Sequence, residues 1–433
     1  MAVEKVSKKK THKKWGKLRH KVLWVVLSPA FWIYSRIKFG VRIESYRKYS
    51  KEPCVVLYNH VTGFDQFFVA LSFARPIYFV ATEDIMSNGF VSKLLSYLVA
   101  PIPIKKHSTD IKALKTIFSV AAEGLSIAIA PEGNRTYSGR TVHMKESIVS
   151  LVRKLKLPIV LFKIEGGYGV QPRWSDVVRR GRMDCRIAKV LKPEDYLAFS
   201  ETELLETIKS VLYTDEAVAG RKFRHKNRAE YLERAMYVCP DCGFADFYSE
   251  GATVKCLKCG KTVRYNEDTS LSGVGCEFPY KFVADWYEYQ NDYLNSVNIT
   301  TIKDTPVFTD EVSVYKVIPY KKKVLTDPKV VLSLYGNRVV FSFSDGTEKT
   351  VAFEDVAGIA CMGRNKLNIE LKDDLMQIRG SKRFNALKYL NFCFRYNNIV
   401  NVAGSVRESD KPAKTTDSKS NSRRKDNDKF LGI

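Results

Sequence analysis

The chain has 433 residues, 45% of them apolar, and 71 Lys and Arg against 47 Asp and Glu give a formal charge of +24. The length predicts two to four units, and the apolar share is that of a globular protein, not a disordered one. The charge points to an anionic partner, nucleic acid or lipid headgroups, while nine cysteines, four of them in close pairs, argue against a secreted disulfide framework.

Residues 1–51 begin with a lysine-rich stretch (Lys8-Lys9-Lys10, Lys13-Lys14), then run apolar from Val22 to Tyr34 and close on Arg36 and Lys38. That apolar run is too short to span a bilayer. Trp24, Pro29 and Trp32 and the lack of an Ala-x-Ala end do not suit a signal peptide. The pattern predicts a peripheral or monotopic membrane-docking segment, with aromatics at headgroup depth and lysines on anionic lipid. The alternative is a buried N-terminal helix with a solvated basic tail.

Residues 52–215 alternate apolar strands with helical stretches. Predicted strands are 54–59, 77–81, 102–105, 125–130, 159–165 and 183–190; predicted helices include 90–99, 110–123, 145–156 and 201–213. The alternation predicts an α/β unit with a mainly parallel sheet flanked by helices, its ligand site at the carboxyl ends of the strands. Three candidate blocks follow strands. In the first, His60 ends a strand and Asp65 begins a helix. In one continuous helix the two would lie roughly 140° apart. Across a strand–turn–helix, Asp65 folds back to accept the imidazole N–H and leaves the other ring nitrogen free as a general base. The alternative is a helix-capping Asp beside an unrelated His. In the second, Pro131-Glu132-Gly133-Asn134-Arg135-Thr136 sets a carboxylate, a glycine and a guanidinium at one turn. The Arg suits two-pronged phosphate binding and the Gly a close backbone approach; an ordinary Pro-Glu-Gly turn is the alternative. In the third, Lys105-Lys106-His107 is either a solvated basic turn or a further phosphate contact. Two more basic stretches, Pro172-Arg173-Trp174-Ser175 and Arg179-Arg180-Gly181-Arg182, read as surface loops or as contacts to a membrane or to donor phosphates.

These blocks resemble the PlsC-type glycerolipid acyltransferases, the lysophosphatidate and other lysophospholipid acyltransferases. His60 to Asp65 is similar to their H-x4-D block. Pro131 to Thr136 is similar to their P-E-G-T-R-S block, with Asn134 where Thr is usual. Ile102 to Lys106 resembles their strand ending in Arg, with Lys106 at that place, and Leu157 to Leu161 their V-P-I-x-P block, with Leu161 for the second Pro. The resemblance covers roughly residues 20 to 215. It implies transfer of a fatty acyl group from acyl-CoA or acyl-ACP to the hydroxyl of a lysophospholipid, lysophosphatidic acid first, at the cytoplasmic membrane face. It also implies membrane docking through the N-terminal helix. By the same resemblance His60 is the catalytic base and Asp65 its partner, while Lys106, Glu132, Gly133, Asn134, Arg135 and Thr136 bind the acceptor. The three departures leave a second reading, a scaffold whose acyltransferase fold has lost activity.

Residues 216–236 read as a charged helical linker with a solvated face. In 237–266, Cys239-Pro240-Asp241-Cys242-Gly243 and Cys256-Leu257-Lys258-Cys259-Gly260 are two C-x2-C-G knuckles. Four thiolates at this spacing surround one zinc ion tetrahedrally, so Cys239, Cys242, Cys256 and Cys259 predict a zinc ribbon with a closed, structural metal site. Cys54, Cys185, Cys276, Cys361 and Cys393 are expected to be buried free thiols. Residues 267–304 hold an aromatic helix in which Phe282, Trp286, Tyr289 and Tyr293 recur at helical spacing, a packing stripe by default. Residues 305–400 switch to strand alternation with hairpin turns and end in a helix, which resembles an all-β PH-like barrel that would bind a headgroup or a protein partner. Residues 401–433 are polar, without apolar period, and predict disorder. No aromatic-basic recognition motif supports nucleic-acid binding.

Overall fold

The computed structural model describes residues 14–46, 52–87, 89–105, 110–216, 220–318 and 321–409. The chain enters through helix α1 (Leu18–Phe39), which runs through Pro29 and stops at Gly40. Gly40 has φ +61° and its N–H bonds Arg36 O, the left-handed turn that glycine permits. At 22 residues α1 is longer than the apolar run alone predicts, because its charged ends join the helix. By length and composition it is long and apolar enough to cross a membrane.

The first sheet has seven strands: β1 (Val41–Ile43), β2 (Val55–Tyr58), β3 (Ile77–Thr82), β4 (Ile102–Ile104), β5 (Ser126–Ile129), β6 (Ile159–Glu165) and β7 (Met183–Leu191). Their order is β1-β7-β6-β2-β5-β3-β4. Every pairing is parallel except β6 with β7. Helices α2 (Asp65–Ser72), α3 (Phe90–Leu98), α4 (Ile111–Ala122), α5 (Ser147–Leu155), α6 (Gly167–Val170), α7 (Pro193–Tyr196) and α8 (Glu201–Leu212) connect and flank it. Strand β2 shows why its sequence is apolar throughout. Val55 and Leu57 point into one buried cluster with α4, α5 and α8, while Val56 and Tyr58 point into the other. A strand covered on both faces has no polar side. Helix starts are set locally: Asp110 accepts from the Ala113 N–H, and Ser200 and Glu203 form a capping box. The sequence expectations omitted β1, which draws residues 41–43 out of the docking segment and into the sheet.

The second unit pairs β8 (Val238–Cys239) with β9 (Gly243–Phe244). It then builds an antiparallel sheet from β10 (Phe247–Glu250), β11 (Thr253–Cys256), β12 (Thr262–Tyr265) and β13 (Leu271–Gly273). Helix α9 (Val283–Ser296) packs on it, with Trp286 fully buried and its indole N–H on Val238 O at 2.9 Å. The aromatic stripe is therefore packing. The third unit is an antiparallel sheet of β14 (Phe308–Lys316), β15 (Val324–Leu334), β16 (Arg338–Ser342), β17 (Glu348–Ala352), β18 (Gly358–Met362), β19 (Lys366–Glu370) and β20 (Leu375–Gly380). Two meanders join where β14 pairs with β20, and helix α10 (Ala386–Ser409) follows. Helix α10 runs to Ser409, past residue 401 where disorder was expected; the remainder lies outside the described residues.

One apolar cluster runs without a break from Tyr58 and Phe162 through Cys239 and Val254 to Leu332 and Phe392. Polar clasps cross the same joints. Arg234, 2% exposed, pairs with Asp176 at 2.8 Å, and Arg140 pairs with Asp215 and Asp285 at 3.0 and 2.9 Å. Three expectations change as a result. The 216–236 segment is not a solvated helix. Its described residues, 216 and 220 onward, run irregularly to 225 and then through consecutive turns to 235, among them one short 3-10 turn (Leu232–Arg234), and Phe223, Ala229 and Leu232 are buried. The stretches around Arg173 and Arg179 are not surface loops: Trp174 and Arg179 are fully buried, and Arg179 bonds Gly169 O and the Tyr265 hydroxyl. Of the five thiols expected to be buried, Cys276 is exposed.

Candidate active site

Strand β2 delivers Asn59 and His60 to the carboxyl edge of the first sheet. The Asn59 amide is spent on the scaffold: its Nδ2 donates to Ile164 O at 2.8 Å and its Oδ1 accepts the Ile164 N–H at 2.7 Å. That pair ties the strand end to β6. The chain then turns into α2, and Asp65, the first residue of that helix, reaches back. Its carboxylate is fully buried. Oδ2 accepts the His60 Nδ1–H at 2.8 Å and the Val61 N–H at 2.6 Å; Oδ1 accepts the Thr62 hydroxyl at 2.6 Å and the Thr62 N–H at 3.0 Å. The strand–turn–helix reading of the spacing matches this geometry. Because Nδ1 carries the proton to Asp65, Nε2 holds the free lone pair. The ring is 24% exposed, and it lines a cavity of about 1590 Å³. Desolvation holds the His60 imidazole below its ordinary value, against the opposing pull of Asp65. The ring is therefore neutral at pH 7.

The turn after β5 supplies the second wall. Gly133, at φ +66°, Asn134 and Arg135 all line the cavity. Glu132 is 5% exposed, and its oxygens are taken by the backbone N–H groups of His60 at 3.0 Å and Val142 at 3.3 Å. Burial pushes its pKa up to about 8, offset in part by those two donors. It braces His60 from behind and does not face the cavity. Thr136 is also internal: its hydroxyl accepts the N–H groups of Ser138 and Gly139 at 3.2 and 3.0 Å. Lys106 lies outside the described residues; its neighbour Lys105 lines the cavity. Of the residues expected to contact the acceptor, Gly133, Asn134 and Arg135 line the cavity with His60, while Glu132 and Thr136 face inward to the scaffold. We predict that Glu132→Ala displaces the His60 backbone it braces and, on the functional reading proposed below, lowers kcat about 10- to 100-fold with little change in substrate KM, the scale of a misplacement near the reacting atoms. Steady-state kinetics on vesicles would check it.

Sequence reasoning left Arg173 between a surface loop and a contact to a membrane or donor phosphates, and did not place it among the site residues. It lines the same cavity with Arg135, although 38 positions separate them. The third unit also contributes: residues from Val356 to Gly363 line the cavity, as do Leu23, Trp24 and Phe31 of α1. The site is thus polar at His60 and the two guanidiniums and apolar along α1.

Away from this cavity the four cysteines converge. Their sulfurs lie within 4.8 Å of one another, with Cys239–Cys259 and Cys242–Cys256 at 3.6 Å. Four thiolates at the usual zinc–sulfur length of about 2.3 Å stand roughly 3.8 Å apart, so the donor set and spacing fit such an ion. Gly243 and Gly260 close the knuckles at φ +71° and +79°. At Gly243 a Cβ would meet the Tyr293 hydroxyl at 2.2 Å.

Residues 40–164 match the family model described as Acyltransferase. Among curated proteins, the chain is 24% identical over 156 residues to the chloroplastic 1-acyl-sn-glycerol-3-phosphate acyltransferase BAT2 of Brassica napus, covering 36% of this chain and 44% of that protein. It is 22% identical over 223 residues to the 1-acyl-sn-glycerol-3-phosphate acyltransferase of Cocos nucifera (46% and 70%). It is 27% identical over 121 residues to the protein of that name from Borreliella burgdorferi (26% and 46%). The chain therefore spans less than half the length of two of these three relatives. Among solved structures, the 1-acyl-sn-glycerophosphate (LPA) acyltransferase PlsC from Thermotoga maritima is 22% identical with a TM-score of 0.37, covering 45% of this chain and 76% of that one.

Proposed function

We propose that this protein is a membrane-associated lysophospholipid acyltransferase. It moves a fatty acyl group from acyl-CoA or acyl-ACP to the free hydroxyl of a lysophospholipid, lysophosphatidic acid first. The observation that carries the reading is the His60–Asp65 pair opening, with Nε2 free, onto a cavity that is cationic at one end and apolar at the other. The acceptor hydroxyl gives its proton to His60 Nε2 as its oxygen attacks the thioester carbonyl. The C–O bond forms, the C–S bond breaks, and the imidazolium returns the proton to the leaving thiolate. Asp65 holds the tautomer and favours the transient imidazolium. Transfer is direct, and Arg135 positions the acceptor phosphate.

The apolar wall gives the acyl chain its place and the protein its membrane contact. Helix α1 packs inward along one side, where His20, Ser28, Ser35 and Phe39 are buried, and leaves Val25, Val26, Ile33 and Ile37 exposed. Helix α3 lies beside it, joined by the Arg19 Nε–H on Tyr97 O at 3.0 Å, and exposes Phe90 and Val91. A helix seated on its own protein along one side suits lying in the interface better than crossing it. The basic N-terminal residues and anionic lipid on the cytoplasmic face complete this docking. The four cysteines hold one structural zinc ion, remote from the chemistry.

The test is transfer from radiolabelled acyl-CoA, then acyl-ACP, to a panel of lysophospholipids and glycerol 3-phosphate on anionic liposomes. Product from the intact protein but not from His60→Ala is expected. No product with either donor and any acceptor would overturn the reading in favour of an inactive scaffold.

A further inference from the structure

Arg173 and Arg135 present an electrostatic problem that the fold leaves unsolved. Arg173 is 5% exposed and lies over the Tyr137 ring at 4.2 Å. Its guanidinium donates to three backbone carbonyls: Nη1 to Arg135 O at 2.9 Å, Nη2 to Cys361 O at 2.8 Å and Nε to Gly363 O at 3.1 Å. Arg135 Nη2 donates to the same Gly363 O at 3.4 Å. Its Nη1 stands 3.6 Å from where a Cβ on Gly63 would lie, three positions from His60. Among the described residues neither guanidinium has a carboxylate at ion-pair distance. Burial and the nearby Arg173 charge push the Arg135 pKa down to about 10, and the Asp65 carboxylate, already spent on His60, Val61 and Thr62, offsets this only in part.

A buried cation beside a half-buried one is costly unless an anion compensates the pair. Three carbonyls orient Arg173 but carry no net charge, and they leave two of its five N–H groups unspent. Both side chains line the cavity that holds His60. A tetrahedral anion with several acceptor oxygens answers both the charge and the spare donors.

We propose that Arg173 joins Arg135 in binding a phosphoryl group, the two held together by the shared Gly363 carbonyl after β18, so that the C-terminal sheet is part of the substrate site. The proposal rests on the acyltransferase reading for its source of phosphate, the acceptor monoester; a donor phosphate offers the same chemistry. Arg173 lies outside the stretch that matches the family model, and its carbonyl partners lie 188 and 190 positions away.

The experiment compares the intact protein with Arg173→Gln and Arg173→Lys. Arg173→Gln should raise the KM for lysophosphatidate about tenfold or more with kcat within a few-fold, and Arg173→Lys, which keeps the charge but not the fork, should fall between. If the donor KM rises instead, and the native preference for acyl-CoA over acyl-dephospho-CoA is lost in Arg173→Gln, the pair still binds a phosphoryl group, that of the donor. Unchanged KM for both substrates in a folded Arg173→Gln protein would overturn the proposal and leave Arg173 as a link between units. Calorimetric titration with glycerol 3-phosphate against glycerol reads the pair without turnover. Phosphate-dependent binding that weakens in both variants supports it even if no acyl transfer is found, in which case only the acyltransferase reading falls. Equal affinity in all three proteins overturns it.

Discussion

Replacing His60 with Ala is expected to lower acyl transfer about 10²- to 10⁴-fold, the range a positioned general base contributes, with binding to vesicles and thermal stability preserved. The ring is partly open to the cavity, and its structural contacts are the hydrogen bond to Asp65 and an edge contact with the Tyr58 ring. The pH profile gives a sharper check. Desolvation holds the imidazole below 6.5, so the base form dominates at neutral pH. kcat/KM should rise with pH along an acid limb centred below 6.5 and be flat from about pH 7 upward. Asp65 acts in the opposite direction: its hydrogen bond and charge favour the protonated ring. Asp65→Asn should therefore move the acid limb to still lower pH while lowering the plateau, because the tautomer is no longer fixed. A limb that moves upward would contradict the assigned partnership. Asp65→Asn should also be less stable than His60→Ala, since the carboxylate takes the N–H groups of Val61 and Thr62 as well as the ring.

The second large effect concerns the cysteine cluster. Elemental analysis should find one zinc per chain, and Cys256→Ser should destabilise the protein by ~4 kcal/mol or more, the scale of losing a structural metal, or roughly 4–5 °C in Tm for a cooperative unit of this length. Cys239 and Cys256 are both 1% exposed and belong to the long apolar cluster, so the loss should spread beyond the knuckles. Cys259→Ser, at an exposed corner, removes the same ligand with less packing and should cost less. Chelation at neutral pH should reproduce the Cys256→Ser melting curve. A protein without zinc, melting as before with any one of the four cysteines replaced, would show the cluster to be only a set of thiols.

How much of this was legible in the sequence follows from what local pattern can encode. The strands of the first sheet read almost to the residue because strands buried on both faces are continuous apolar runs, as β2 and β6 are. The His60–Asp65 pair was legible because both partners lie within one strand–turn–helix. Glu132 was legible as a site position but not in its role: only the fold shows that its oxygens meet the backbone of His60. Arg173 and the 220–236 segment were misread for a common reason. A run of arginines looks solvated when its acceptors are carbonyls and carboxylates far along the chain, such as Cys361 O for Arg173 and Asp176 for Arg234. The three residues of β1 gave no signal because Val41-Arg42-Ile43 follows a helix directly, carries a charge at its centre and runs into Glu44-Ser45. Helix α1 was read too short because its charged ends carry no apolar signal, although they continue the helix.

The turn that holds Arg173 also dates the site during synthesis. The His60–Asp65 pair is local and can form once the first sheet has emerged. Arg173 must wait for Cys361 and Gly363, and Arg135 for the same Gly363, 228 positions later. Contacts of such long sequence separation form late. A ribosome-bound chain therefore forms the His60–Asp65 pair before the two arginines meet, and the cavity wall is complete only when the C-terminal sheet closes over a site begun about three hundred residues earlier, the separation of Gly363 from His60.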